Sequence, residues 1–210
     1  MTSFELENVK QIYDIIYPHF DVTRQSIWFD VQQFVDKFEK NSYVLDAGCG
    51  NGKNMYRNDC VFVGGDFCQK FIEMIKARHH EGIQINIKTL PFRTNTFDYT
   101  ICIAVLHHIK NKIHQIQAIK ELIRVTKKHG KILISVWEAH GNYQKGDNFV
   151  KWKLQKKYNK KEDLDTTLNR YYYMYDGNEL YNDIVQNIQN VIIENYKANF
   201  NNRFIILTKL

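Results

Sequence analysis

The chain has 210 residues, 44% apolar and 25% charged, with a net charge of +6 and an isoelectric point near 9.0. That suffices for one domain with a sizeable core and excludes a disordered or fibrous composition. No apolar run approaches the roughly 20 residues that span a bilayer, and the opening "MTSFELENVKQIYDIIYPHF" lacks the basic-then-apolar order of a signal peptide. A cytoplasmic protein is expected, with the nucleus left open. Cys49, Cys60, Cys68 and Cys102 form no C-x-x-C pair, so neither a zinc knuckle nor a disulfide framework is expected, and no metal site. The positive charge hints at a polyanionic partner, although the abundance of Asn, Lys and Ile, with two prolines, reflects a codon bias that dilutes the hint.

In chain order, Phe4, Val9, Ile12, Ile15 and Ile16 stand at helical spacing over residues 4–17, with Pro18 as the expected stop. A polar stretch, "HFDVTRQS", leads into a second helix from about Ile27 to Phe38. The pattern then changes to short apolar strands: "SYVLDAG", "CVFVGGD", "IQINIK", "FDYTICIAV" and "GKILISVWE". Helical windows fall between them at Gly52–Arg57, Gln69–Arg78 and Lys112–Lys127. Near-continuous apolar strands alternating with helices predict a parallel sheet buried on both sides. Residues 140–168 read as a long lysine-rich loop insertion. The run "NRYYYMYDG" follows, then a helix from about Asn178 to Ile188 and two late strands, "NVIIENYKA" and "RFIILTKL". Residues 1–210 read as a single domain, with 1–40 as an N-terminal helical segment.

The segment that carries chemistry is "VLDAGCGNGKN", Val44 to Asn54. An acid closes a strand, and glycines at 48, 50 and 52 let the chain turn and let a ligand approach the backbone. Free N–H groups at the start of a following helix would add donors. Twenty residues beyond Asp46, Asp66 closes the second strand, where a carboxylate can accept both hydroxyls of a ribose.

This combination resembles the class I S-adenosylmethionine-dependent methyltransferases, and "IKTLPFRTNTFDYTICIAVLHHI" fits the same pattern. The resemblance implies an α/β, Rossmann-like fold with a mostly parallel seven-stranded sheet and helices on both faces. It implies S-adenosyl-L-methionine as cofactor, contacted by Asp46, Gly48, Cys49, Gly50, Gly52, Asp66, Phe67, Asn86, Leu90 and Ala104. At Asn86, four residues before Leu90, an acid is usual and contacts the adenine amino group; an asparagine carbonyl can still accept that bond.

The flanks are more specific. Tyr13, His19, Phe20, Thr23, Arg24 and Trp28, then Trp137, then Asp147, Val150 and Trp152, then Arg170, Tyr171, Tyr172 and Tyr175 resemble the eukaryotic tRNA wobble-uridine carboxymethyl methyltransferases. The chain departs from that pattern at Tyr173, Lys151, Asn201 and Arg203. The resemblance implies esterification of 5-carboxymethyluridine in tRNA, with the chain as catalytic subunit beside a small zinc-binding activator. That partner would add strands at the edge strand 83–88. A carboxylate is ionised at pH 7 and needs no general base, whereas it does need a fork of donors, and a flipped base needs rings. Arg24, His107, Trp137, Arg170, Tyr171 and Tyr172 are the substrate-side candidates, with His107 as pocket wall or donor and His108 as structural. Lysines between 151 and 161 are candidates for phosphate contact. In an extended strand Tyr171, Tyr173 and Tyr175 share one face, and Arg170, Tyr172 and Met174 the other. Two other readings stay open: a small-molecule methyltransferase of the quinone or lipid-precursor type, and a non-catalytic RNA-binding subunit.

Overall fold

The computed structural model describes residues 2–159 and 166–210. Seven strands form one sheet: β1 (Tyr43–Ala47), β2 (Val61–Asp66), β3 (Glu81–Gln84), β4 (Phe97–Ile103), β5 (Thr126–Trp137), β8 (Val191–Asn199) and β9 (Asn202–Lys209). Their order is β3-β2-β1-β4-β5-β9-β8, and β9 alone runs against its neighbours. This is the mostly parallel seven-stranded sheet expected from the sequence.

Period-two alternation divides the core between the sheet's faces. Leu45, Ala47 and Val63 pack toward α5 (Lys112–Val125) and α6 (Glu179–Asn187), through Ile119, Leu122 and Ile184. Val44, Phe62, Ile101 and Leu133 pack toward α3 (Phe29–Val35) and α4 (Gln69–Ala77), through Phe34, Ile72 and Ile75.

The N-terminal segment forms α1 (Ser3–Glu5), a π-helical turn at Leu6–Lys10, and α2 (Gln11–Thr23). Pro18 does not end the helix; it lies inside α2. Its missing N–H and its ring cost about 3 kcal/mol in a helix interior, which the burial of Tyr13, Ile16 and His19 offsets. The expected helix at Gly52–Arg57 is also absent: residues 51–60 run as turns. Gly52 has φ +79°, outside helical space, and Arg57 Nη1 donates to the carbonyls of Val35 and Phe38 at 3.1 and 2.7 Å, tying the segment down. The third strand ends earlier than residue 88, because the Asn86 side-chain oxygen accepts the Lys88 N–H at 3.1 Å and turns the chain.

The largest correction concerns residues 140–168. Gly146–Leu154 is a strand, β6, paired antiparallel with β7 (Thr166–Met174). Val150, Trp152 and Leu154 point inward while Lys151 and Lys153 stay exposed, an amphipathic alternation masked by the lysine content. The hairpin packs on α2 in a third apolar cluster, with Val9, Tyr13, Ile16, Trp152, Leu154 and Tyr171. Of the lysine run, Lys160 and Lys161 lie outside the described residues.

Candidate active site

Strands β1, β2 and β4 end at one rim, and the chain turns sharply there. Gly48 has φ +91°, and a Cβ at this position would lie 2.1 Å from a Val105 methyl carbon. The loop is held by its own backbone: the Gly48 and Cys49 N–H groups donate to the Gly65 carbonyl at 2.6 and 3.0 Å. The Gly50 N–H donates to Asp66 Oδ2 at 3.0 Å, and the Cys68 N–H to Asp66 Oδ1 at 2.9 Å. Asp66 is thereby aimed with a lone pair left on each oxygen. Burial, foremost, raises its pKa to about 6. Asp46 sits beneath the loop, fully buried beside the Asn54 side chain; burial, foremost, raises it to about 7, and the Asn54 amide acts the other way.

Two joined pockets open above this rim, sharing Gly48, Asp66, Phe67, Val105 and His108. The first is almost wholly apolar and is bounded by Ile85, Asn86 and Ile87 after β3, with Glu5 and Val9 from the N-terminal helical segment. The second, about 870 Å³ of space open to solvent, is bounded by Cys49, Gly50 and Ala104 on the loop side. Its opposite wall carries Tyr13, Arg24, Trp137, Arg170 and Tyr172. An apolar slot, an aimed carboxylate with spare lone pairs and a buried acid beneath the loop fit S-adenosylmethionine. Asp66 suits the ribose hydroxyls, the slot suits the adenine, and Asp46 offers negative charge under the cationic end.

The opposite wall is built from side chains. Arg170 on β7 is 4% exposed. Its Nη1 donates to the Tyr13 hydroxyl at 3.3 Å, its Nε has no partner, and no acid pairs with it among the described residues. Its guanidinium lies 4.7 Å from the Trp152 ring centre and 5.1 Å from that of Tyr172. Arg24, exposed at the end of α2, lies 5.1 Å from the same Trp152 ring, also without an acid partner among the described residues. Trp152 is fixed by donating its indole N–H to His19 Nδ1 at 3.2 Å.

The two histidines exchange their expected places. His107 is wholly buried behind Tyr172, stacked at 4.6 Å, and does not line the cleft. It accepts the Trp137 N–H through Nδ1 at 3.1 Å, and burial pushes its pKa well below the usual histidine value. His108 lines both pockets. Its Nδ1 lies 2.9 Å from the Tyr171 carbonyl and so carries the proton; its Nε2 accepts from the Tyr13 hydroxyl at 3.0 Å. Burial lowers its pKa to about 3. Both rings are therefore neutral at physiological pH, and Arg170, Tyr13 and His108 form one hydrogen-bonded chain.

β7 is extended, so Arg170 and Tyr172 face the cleft and Tyr171 faces away. Tyr171 packs edge-on against Phe4 at 4.9 Å and donates to Asp147 at 2.8 Å. It is a strut of the hairpin and not a substrate contact. Leu90 is likewise core, 5% exposed and outside both pockets. Gly52 and Asp46 also lie outside both linings, Gly52 placed by close packing against Ile75 and Asp46 wholly buried beneath the loop. Cys49, Phe67, Asn86, Ala104 and Trp137 stand in the linings as expected. The sequence reading did not single out Glu5, Lys53 or Val105. Lys53 directly follows the last glycine of the loop, which is the signal that was available; Glu5 has none short of the folded chain.

A methyltransferase domain model matches residues 45–134. The tRNA (carboxymethyluridine(34)-5-O)-methyltransferase of Schizosaccharomyces pombe is 32% identical over 91% of this chain and 92% of its own length. The enzyme of the same name from Arabidopsis thaliana is 40% identical over 64% of this chain, which spans 34% of that longer protein. Among solved structures, the S-adenosylmethionine-bound amino pentose methyltransferase CalS10 of Micromonospora echinaspora superposes with a TM-score of 0.71 at 12% identity, covering 93% of this chain and 97% of its own. A chain from the complex of the Haloferax volcanii Trm112 methyltransferase activator with a methyltransferase gives 0.70 at 10% identity, covering 96% and 97%. These two likenesses speak to the fold. With the full-length match to the fission-yeast protein, the glycine loop, the two strand-end acids and the cationic hairpin together place the chain in the tRNA (carboxymethyluridine(34)-5-O)-methyltransferase family.

Proposed function

We propose that this chain transfers the methyl group of S-adenosylmethionine to the carboxylate of 5-carboxymethyluridine at the tRNA wobble position, giving the methyl ester. The observation that carries the reading is Arg170: a buried guanidinium with no acid partner among the described residues, in the cleft, backed by Trp152 and Tyr172. A planar fork of donors is matched to a carboxylate, and an unpaired buried charge calls for an anion. Arg24, over the same tryptophan, supplies a second cation at the solvent side. Tyr172 and Trp137, with ring centres 4.8 Å apart, offer faces on which a flipped pyrimidine can stack.

The cofactor supplies an electrophilic methyl on a cationic sulfur. A carboxylate oxygen of the substrate forms the new C–O bond as the C–S bond breaks, and the electron pair leaves with sulfur. No proton moves, which agrees with His108 at the cleft and His107 behind Tyr172, both held neutral by burial. What the chain contributes is alignment and exclusion of water. Anion and cation become neutral ester and thioether, so a poorly solvated cleft favours the step.

The exposed Lys151 and Lys153 on β6 form a strip for tRNA phosphates. β3 is a short sheet edge paired, among the described residues, with β2 alone, and Ile83 on it is exposed. This edge is where a small zinc-binding activator would add a strand; one chain of similar fold comes from a complex with a methyltransferase activator. One assay tests the reading: methyl transfer to tRNA bearing the carboxymethyl base against tRNA lacking it, with and without co-expressed activator. Transfer restricted to the carboxymethylated tRNA and stimulated by the activator is expected. Equal transfer to both tRNAs refutes the substrate, and full activity of the monomer alone refutes the activator.

A further inference from the structure

At the adenine end of the cleft the chain carries Asn86 where an acid is usual. The Asn86 side-chain oxygen is turned back on its own backbone, accepting the Lys88 N–H at 3.1 Å. A different acid stands at the same end. Glu5, from the first turn of the N-terminal helical segment, lines the pocket together with Asn86, Ile87 and Lys88.

Glu5 is 6% exposed, and its two oxygens differ. Oε2 accepts the Lys88 ammonium at 2.8 Å and the Thr2 N–H at 3.0 Å. Oε1 is buried with no hydrogen-bond partner among the described residues. Burial acts to raise the Glu5 pKa, but the Lys88 and Thr2 hydrogen bonds outweigh it and hold the carboxyl below its ordinary value. It is therefore ionised at neutral pH. A buried, charged acceptor without a donor is costly, and an exocyclic amine on a flat apolar base is a donor of the kind it lacks.

We propose that Glu5 Oε1 accepts a hydrogen bond from the 6-amino group of the cofactor's adenine, so that base discrimination in this chain comes from the N-terminal helix and not from position 86. The proposal rests on the S-adenosylmethionine reading. It also ties occupancy of the cofactor slot to seating of the helix that carries Tyr13 and Arg24 into the substrate wall, since α1, the π-helical turn and α2 follow one another without a break.

The test compares S-adenosylhomocysteine with S-inosylhomocysteine, which bears a 6-oxo group, by titration calorimetry on the full chain. The wild-type protein prefers the adenine compound by roughly ten- to a hundredfold, since a 6-oxo group sets an acceptor against an acceptor. In Glu5→Gln, Lys88 and the Thr2 N–H hold the amide oxygen and turn the NH₂ toward the base, so the preference collapses or reverses. Asn86→Ala keeps the wild-type preference. Each preference is a ratio within one protein, so partial loss of folded molecules cancels. If Glu5→Gln does not fold, Glu5→Asp, which withdraws the oxygen by one methylene, must lower the preference. A Glu5→Gln protein with the wild-type ratio, or an Asn86→Ala protein without it, overturns the inference. A wild-type protein that binds neither compound overturns the cofactor reading itself.

Discussion

The loop-side wall of the cleft, at the ends of β1, β2 and β4, is built from backbone turns over two buried acids, whereas the facing wall, from α2 and the β6–β7 hairpin, presents cations and rings. Gly48 and Asp66 are held by main-chain hydrogen bonds within a span of some twenty residues. Arg170, Tyr13, Arg24 and Trp152 meet only because a hairpin packs on a helix more than a hundred residues earlier in the chain. Asp46 is buried beneath the loop where a cationic cofactor end would lie, and guanidiniums stand where an anionic substrate would. The polarity of the cleft thus runs in the direction of a transfer from cation to anion, and neutral products would lose both attractions, which favours their release.

That contrast predicts that the two walls fail separately. Arg170→Met keeps bulk over Trp152 but removes the buried charge. Truncating one member of a buried charged pair costs 2–5 kcal/mol, so kcat/KM for carboxymethylated tRNA falls on the order of 10²- to 10³-fold. S-adenosylhomocysteine affinity, measured by calorimetry, stays within about twofold, because a uniform binding loss on one wall leaves the other intact. Arg24→Ala, at an exposed position, loses about tenfold in the same assay. Equal losses from the two substitutions would erase the distinction between a buried clamp and a rim cation. A large drop in cofactor affinity for Arg170→Met would erase the distinction between the walls.

The same contrast explains what could be read from the sequence. The loop-side wall is local: "VLDAGCGNGKN" and Asp66 lie on consecutive strands, and their spacing alone implied the turn and the ribose carboxylate. The facing wall depends on a long-range pairing. Trp152 and Arg170 lie on neighbouring strands of one hairpin and point to the same face, yet the lysines that alternate with Val150, Trp152 and Leu154 made one strand of it read as a loop. The period-two split of "RYYYMY" correctly separated Arg170 and Tyr172 from Tyr171, and the geometry follows that split where the family pattern had grouped all three. The histidine roles were not legible. Which of His107 and His108 turns to the cleft is set by the 3₁₀ turn at Leu106–His108 and by partners at Trp137 and Tyr171. Asn86 and Glu5 show the same limit, because an acid supplied from another segment leaves no trace in the motif it joins.

A smaller effect distinguishes the loop-side acids from ordinary surface carboxylates. Asp46 is raised to about 7 by burial, so in the free protein it is part-protonated near neutrality. A bound cation favours its charged form, and binding must then release a proton. Affinity for S-adenosylmethionine therefore rises with pH through the range below about 7 and levels off above it, by less than about tenfold per pH unit for a single group. Calorimetry in buffers of different ionisation enthalpy reads the released proton directly, and Asp46→Asn lowers it to the smaller share of Asp66, which is raised to about 6. The stability of the free protein is a poorer readout. A raised acid contributes stability that fades as pH climbs from its unfolded value through about 7. His107 and His108, whose folded values are lowered, contribute stability that grows as pH rises toward 6.5, and the two trends overlap. No proton release at pH 6.5 would remove Asp46 from the cofactor site.

The smallest effect belongs to the outer face of the hairpin, where the facing wall meets solvent. Lys151 and Lys153 are exposed on β6, on the side opposite Trp152 and Leu154, so replacing both with Gln leaves the packed side of the strand untouched. If they contact phosphates, each contributes through released counterions, and the slope of log K against log salt becomes shallower by roughly 0.7 per contact. tRNA affinity at 0.1 M salt then falls a few-fold, with the ratio between carboxymethylated and unmodified tRNA unchanged, because phosphate contacts position the RNA and do not read the base. A filter-binding salt series on the double variant measures both quantities. An unchanged slope would confine RNA binding to the cleft and its rim cation. A changed slope together with a changed ratio would mean that the outer face also senses the modified base, and the separation between a reading wall and a gripping surface would not hold.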